Sequence, residues 1–347
     1  MNDTKIMSRL KEHLSEALVS SGNPDWFVIC LQGSQNYDMA DENSDIDSKL
    51  LIIPELEDLV LNRTPPNHVH IMDNDEHCDV KDIRDYFKIV RKQNINFVEI
   101  FFTDYYLVNN KYKDIWMELQ RHREEIANGN IYSFLKCCKG MIFEKQHALT
   151  HPYPSKLDLL EKYGFDGKQL SHAYRVYDFA TRFVSGKESY KDCLVPKNKD
   201  FLMSIKRNEY PEDVETAKYM MDEVVEKITL FEAMNNKHRT NKFDENVSKL
   251  LDDSLYDIIT RSIKEELKIE RKKMSTKYKV TVNDEFLGHY YSTDPVGAVK
   301  KAIDANKPYI GSKLKNDDAK FSAQKGALNP KVNFTWNELP HEWKDEI

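Results

Sequence analysis

Several features are scarce in this 347-residue chain, and each scarcity removes a class of protein. The five cysteines, Cys30, Cys78, Cys137, Cys138 and Cys193, form no CxxC pair and no zinc-ligand spacing. That excludes a zinc ribbon or a disulfide-stapled scaffold and fits a reducing compartment, where thiols pack as small hydrophobes. No apolar run approaches the roughly 18 residues of a membrane span, and the opening MNDTKIMSRLKEHL lacks an apolar signal core. A soluble cytoplasmic chain without a membrane partner is therefore expected. A basic excess is also missing: 51 Lys and Arg stand against 58 Asp and Glu. Contact with nucleic acid would have to be local, and extended duplex binding is not expected. What is present, 40% hydrophobic and 31% charged residues without low-complexity tracts, is the balance of a folded protein. The length suits roughly two or three domains.

Periodicity divides the chain. Residues 4–20 carry Ile6, Leu10, Leu14 and Leu18 at helical spacing, and SGNP stops that helix. WFVICLQGS and DIDSKLLIIP give two apolar strands, the second closed by Pro54. HVHIMDNDEHC opens as a polar or edge strand. From Asp79 the spacing of Ile83, Phe87 and Val90 predicts a helix. INFVEIFFTDYYLV is apolar throughout, and periodicity does not separate strand from buried helix there. Beyond this first segment, 1–124, a helical domain is expected over 125–273, from IYSFLKCCKGMIFEKQHAL, DGKQLSHAYRVYDFATRFV, DVETAKYMMDEVVEKITLFEAMNN and LDDSLYDIITRSIKEELKIERKK. The remainder, 274–347, reads as a small α+β appendage. YKVTVNDEFLGHYYS predicts two strands about an Asn-Asp-Glu turn. DPVGAVKKAIDAN predicts a helix capped by Asp294 with Pro295 at its first position. KVNFTW is a further strand candidate.

The stretch CLQGSQNYDMADENSDIDSKLLII, from Cys30 to Ile53, asks for a chemical explanation. Asp45 and Asp47 alternate along the expected second strand, so both carboxylates face one way against their mutual repulsion. A hard divalent ion resolves that conflict, and magnesium suits carboxylate oxygens supplemented by water. Gly33 and Ser34 end the first strand, where a close turn can present main-chain N–H groups and a hydroxyl to phosphate oxygens. Asp79 is the leading candidate for a third carboxylate, with Asp73, Asp75 and Glu76 as competitors. Each element alone is ordinary: a Gly-Ser is usually a turn and an Asp-x-Asp usually a solvated loop. Their order, strand, Gly-Ser, spacer, Asp-x-Asp, strand, favours a site. His77 and Cys78 are neighbours that would point to opposite faces of a strand, which speaks against zinc.

These residues resemble the signature of the DNA polymerase beta-like nucleotidyltransferases, and more narrowly the bacterial and phage branch that includes the RNA-ligase-associated group. The branch pattern G-S-x-x-Y-G-x-x-x-x-x-S-D-x-D is matched by Gly33, Ser34, Tyr37, Ser44, Asp45 and Asp47, with Asp38 where a glycine is usual. NINFVEIFF resembles its asparagine and glutamate segment through Asn96 and Glu99. YGFDGKQLSHAYRVYDFA resembles its helical-domain signature through Tyr163, Gly164, Asp166, Lys168, His172 and Arg175. The resemblance covers about residues 25 to 225 and leaves the appendage unexplained. It implies an α+β nucleotidyltransferase core at 1–124, with a short mixed sheet and flanking helices. It also implies two magnesium ions held by Asp45, Asp47 and Asp79, with Asp79 helping to deprotonate the attacking hydroxyl. Gly33 and Ser34 would hold the β- and γ-phosphates of a nucleoside triphosphate.

Lys168, His172 and Arg175 lie four and three residues apart, hence on one helix face. There they could neutralise a triphosphate, or form a solvated face with His172 satisfied by a neighbour. Tyr37 fits either stacking on a base or packing beneath the turn. Lys136 and Lys139 share a stripe that could reach the cleft or serve salt bridges. In the appendage, Lys307, Lys313, Lys315, Lys320 and Lys325 interleave with Tyr309 and Phe321, a pattern of single-strand binding surfaces that Asp317 and Asp318 dilute; a solvated loop is the plainer reading. The function expected is transfer of a nucleoside monophosphate to a hydroxyl, an RNA end being one acceptor, with release of pyrophosphate. A catalytically silent nucleotide-binding or scaffold module is the alternative. Metal-dependent phosphate-ester hydrolysis has only His68, His70 and His77 in its support.

Overall fold

The computed structural model describes residues 3–41, 44–63, 67–274, 276–306, 319–325, 331–335 and 338. The chain divides into two compact units, Met1–Ser262 and Ile263–Ile347.

The first unit is built on a mixed five-stranded sheet. Its strands are β1 (Trp26–Gln32), β2 (Asp47–Ile52), β3 (His68–Ile71), β4 (His77–Asp82) and β5 (Tyr106–Val108), in the order β3-β4-β2-β1-β5. Only the β2–β4 pair is parallel. Helix α1 (Asp3–Ser20) sets Ile6, Leu10 and Ala17 against Ile29, Leu31, Leu50 and Ile52. The alternate residues Val28, Cys30, Leu51 and Ile53 face the opposite way and join the main core. Burial on both faces explains why these strands read as unbroken apolar runs.

Two short helices fall among these strands, α2 (Leu56–Val60) after β2 and α3 (Ile83–Arg91) after β4. The helix expected from Asp79 begins later. Pairing with β2 keeps His77–Asp82 extended, and Asp82 then caps α3 by accepting from the Arg84 N–H at 2.6 Å. The apolar run INFVEIFFTDYYLV is neither one strand nor one helix. It forms α4 (Ile95–Val98), a single 3₁₀ turn at Glu99–Phe101 and β5.

The rest of this unit is helical: α5 (Lys113–Arg121), α6 (Arg123–Asn128), α7 (Ile131–Ala148), α8 (Leu157–Tyr163), α9 (Gly167–Val184), α10 (Tyr190–Leu194), α11 (Lys199–Lys206), α12 (Val214–Asn236) and, up to Ser262, α13 (Glu245–Met274). Phe134, Phe179, Phe183 and Tyr190 interlock edge to face and stacked between α7, α9 and α10. One continuous apolar cluster runs from Phe27 on the sheet to Ile258 on α13. Gly167 fixes how α9 meets α11. A Cβ there would lie 2.1 Å from the Ile205 carbonyl oxygen, so only glycine permits this approach, and its N–H donates to Asn208 Oδ1 at 2.8 Å.

The second unit contains β6 (Thr276–Val282), β7 (Glu285–Ser292), α14 (Pro295–Ala305), β8 (Lys320–Lys325) and β9 (Lys331–Thr335), with an antiparallel sheet in the order β7-β6-β8-β9. Asn283 and Asp284 both take positive φ, as a two-residue hairpin requires, and Asp294 caps α14 through the Gly297 N–H at 2.7 Å. KVNFTW supplies β9. The basic-aromatic stretch divides: Lys320, Phe321 and Lys325 belong to β8, where Phe321 is buried core and not a stacking surface. Lys307, Tyr309, Lys313 and Lys315 lie outside the described residues. Among the described residues no helix is long and apolar enough to cross a membrane.

Candidate functional site

At the end of β1 the chain turns sharply at Gly33, whose φ of 87° and ψ of −156° belong to a region that side-chain-bearing residues avoid. Asp38 closes the following 3₁₀ turn in the left-handed conformation, φ 55° and ψ 30°. Aspartate tolerates that conformation, so it keeps the turn in place of a glycine. Asp41 and Ser44 then bond each other, Ser44 Oγ donating to Asp41 Oδ1 at 3.1 Å. The chain re-enters the sheet at Asp47. Asp45 therefore precedes β2 and is not a strand residue, and it is exposed.

These segments border a cavity of about 680 Å³ whose far wall is α9 with the ends of α7 and α11. Gly33, Ser34, Tyr37, Asp45, Asp47, Lys168, His172 and Arg175 all line it, eight of the nine residues singled out from the sequence. Asn96, Asp41, Lys145 and Lys206 are among its further charged and polar residues. Asp79 is absent from it. Instead its Oδ2 accepts a hydrogen bond from Lys49 Nζ, and Lys81 Nζ lies 3.0 Å from its buried Oδ1, a charge contact without hydrogen-bond geometry. Lys136 and Lys139 do not line it either: Lys136 lies over the Tyr132 ring and Lys139 pairs with Glu232. Lys145 reaches the cavity instead.

The two ends of the cavity differ in charge. At the carboxylate end, burial raises the Asp47 pKa above the usual 3.8, against the His77 N–H that donates to its Oδ1 at 3.3 Å, and the neighbouring Asp45 adds to the rise. At the cationic end, burial lowers Lys206 below 10.5 despite Asp41. His172 is pushed well below its usual 6.5, first by burial and then by Arg175, Lys145 and Lys168. It is therefore a neutral imidazole. Its Nε2 accepts from Arg175 Nη2 at 2.9 Å, so its proton sits on Nδ1.

Arg175 is 3% exposed and stacks over the Tyr37 ring at 4.0 Å. Its Nε and Nη1, and Nδ1 of His172, are buried and find no partner in the protein. Three unpaired buried donors are expensive unless something else accepts from them. Burial also pushes the Tyr37 hydroxyl up to about 12, and Arg175 covers its ring. Behind the turn, Glu99 is raised above 4.5 by burial, opposed by Arg175 and by the Gly33 N–H bonded to it. That amide is thus already engaged.

On the other side of the sheet a buried clasp holds the carboxylate segment. Glu76 accepts from the Ile46 N–H at 3.3 Å, from Arg9 Nε at 2.7 Å and from His13 Nε2 at 3.1 Å. His13 Nδ1 in turn lies 2.8 Å from Ser48 Oγ. Burial lowers the His13 pKa, so the ring is neutral; it donates to Glu76 and accepts from Ser48. The clasp grips the residues on either side of Asp47. Sequence offered Glu76 only as a rival metal ligand, and nothing local announced His13.

Magnesium is the group the family resemblance implies. Asp45 and Asp47 present two carboxylates beside unpaired anion-seeking donors, which suits a hard ion that takes its remaining ligands from water and phosphate. Among the described residues no group of three or more His, Cys, Asp or Glu side chains could hold a metal by themselves. The chain matches no protein-family model and no curated protein.

Proposed function

We propose that the first unit is a nucleotidyltransferase of the DNA polymerase beta-like type, moving a nucleoside monophosphate from a triphosphate to a hydroxyl and releasing pyrophosphate. One observation carries this reading: a Gly-Ser turn and two carboxylates share a cavity with a buried, partly unpaired guanidinium and three lysines. Acids alone would suggest a cation, and bases alone an anion. Together they suit a metal-complexed polyphosphate.

Magnesium on Asp45 and Asp47 would neutralise phosphate charge and polarise the acceptor oxygen. The protein's own part is positioning. Ser34 and the turn receive phosphate oxygens, while Arg175, His172 and Lys168 hold the chain's outer charge. Arg175 is fixed in advance by Tyr37 and His172. The acceptor favoured is an RNA end, on the strength of the branch that the motif resembles.

The test is a panel of α-labelled nucleoside triphosphates with magnesium, offered RNA, protein and small metabolites. Label transfer with pyrophosphate release is expected, and Asp47→Ala should end it. Turnover that survives both Asp45→Ala and Asp47→Ala would sink the proposal. The engagement of Asp79 by two lysines favours a second reading, a nucleotide-binding module without turnover. It would show nucleotide affinity and no pyrophosphate with any acceptor.

A further inference from the structure

We infer that the protein holds one divalent cation, not two, and that Lys49 keeps Asp79 out of the cation site; this rests on the nucleotidyl-transfer reading. The parallel register places Lys49 beside Asp79 and leaves His77 as the β4 neighbour of Asp47, since Ser48 pairs with Cys78. Asp47 and Lys49 share one face, a step of roughly 7 Å apart along the strand. An ion seated on Asp47 therefore meets His77, whose N–H lies 3.3 Å and Nδ1 3.7 Å from Asp47 Oδ1, before it meets Asp79.

Asp79 is also committed elsewhere. Lys49 bonds one carboxylate oxygen and Lys81 sits 3.0 Å from the other. Two cations on one carboxylate leave it no surplus charge for a metal. Lys49 is 2% exposed, and its ammonium lies 4.1 Å from the centre of the Phe97 ring. Releasing Asp79 would take from that buried ammonium the carboxylate it is bonded to. The cavity supplies the remaining ligands differently. Arg175, buried with Nε and Nη1 unpaired, calls for an anion, and phosphate oxygens from such an anion complete the shell of an ion held by two carboxylates.

Manganese(II), titrated into the full chain without nucleotide and counted by electron paramagnetic resonance and calorimetry, decides the matter. One ion per chain is expected in the wild type and in Asp79→Asn. Asp47→Asn should weaken that ion about tenfold or more. Two ions in the wild type, falling to one in Asp79→Asn, would overturn the inference and leave nucleotidyl transfer standing. No ion, or an ion indifferent to Asp47→Asn, would overturn the inference, and the label-transfer panel with Asp45→Ala and Asp47→Ala decides the nucleotidyl-transfer reading separately. A melting cycle supplies an independent readout. Lys49→Met and Asp79→Asn should each lower the midpoint, and the double variant should recover most of the loss. Additive losses would show that the two residues are not locked together.

Discussion

Beneath α1, four polar side chains are bonded to one another or to the main chain: Arg9, His13, Ser48 and Glu76. Across the sheet, at the cavity, Arg175, His172 and Glu99 keep buried atoms without partners. The same sheet thus separates polar groups that complete the fold from polar groups the fold leaves incomplete. Buried donors are nearly always paired in native proteins, so the second set is where the proposed ligand would be expected to bond, and the first shows what holds that place steady.

The comparison can be broken in four ways. Asp47→Asn should remove one of the two carboxylates of the proposed cation site and cut transfer by about 10³-fold, a loss of several kcal/mol of transition-state stabilisation, with an unchanged circular dichroism spectrum; single-turnover assays measure it. Glu76→Ala should act on stability, costing about 3 kcal/mol in urea unfolding because Arg9, His13 and the Ile46 N–H lose their acceptor. Arg175→Met should do the reverse, weakening triphosphate binding by roughly 10- to 100-fold while moving the melting midpoint little, since only the Nη2 bond to His172 is lost and Nε and Nη1 have no partner in the protein. A fall in stability with unchanged affinity would return Arg175 to the fold.

The smallest effect is the pH dependence of the clasp. Burial pushes Glu76 up, but hydrogen bonds from His13, Arg9 and Asn74 and the charge of Arg9 outweigh it and leave its pKa below 4.5. A carboxylate depressed on folding adds stability that is present above its unfolded value and lost as pH falls through its folded one. Urea midpoints should therefore drop below pH 4.5 in the wild type, and Glu76→Gln should flatten that limb. An equally steep limb in the variant would show that other carboxylates are responsible.

What could be read from the chain was local in sequence. β1, the Gly-Ser turn, the Asp-x-Asp entry to β2 and the capped α14 each follow from a few adjacent residues. Lys168, His172 and Arg175 were visible as a set because helical spacing alone aligns them. Lys206 was not, because α11 reaches the cavity only through its docking on α9 at Gly167. Lys145 was passed over for Lys136, nine residues earlier and about two and a half turns away, on the opposite side of the helix. The pairing of Asp79 with Lys49 depends on strand register, which the sequence between them does not specify. β8 was hidden by its single large apolar residue, Phe321, in an otherwise polar alternation.

Apart from Asn96, the walls of the cavity come from distant stretches, 33–47 on one side and 145–206 on the other. A nascent chain paused at residue 140 would carry Asp41, Asp45 and Asp47 but none of Lys145, Lys168, Arg175 or Lys206. Such an intermediate on the ribosome would expose one wall of the cavity without its cationic counterpart. The cavity is completed only once α11 has been made and docked.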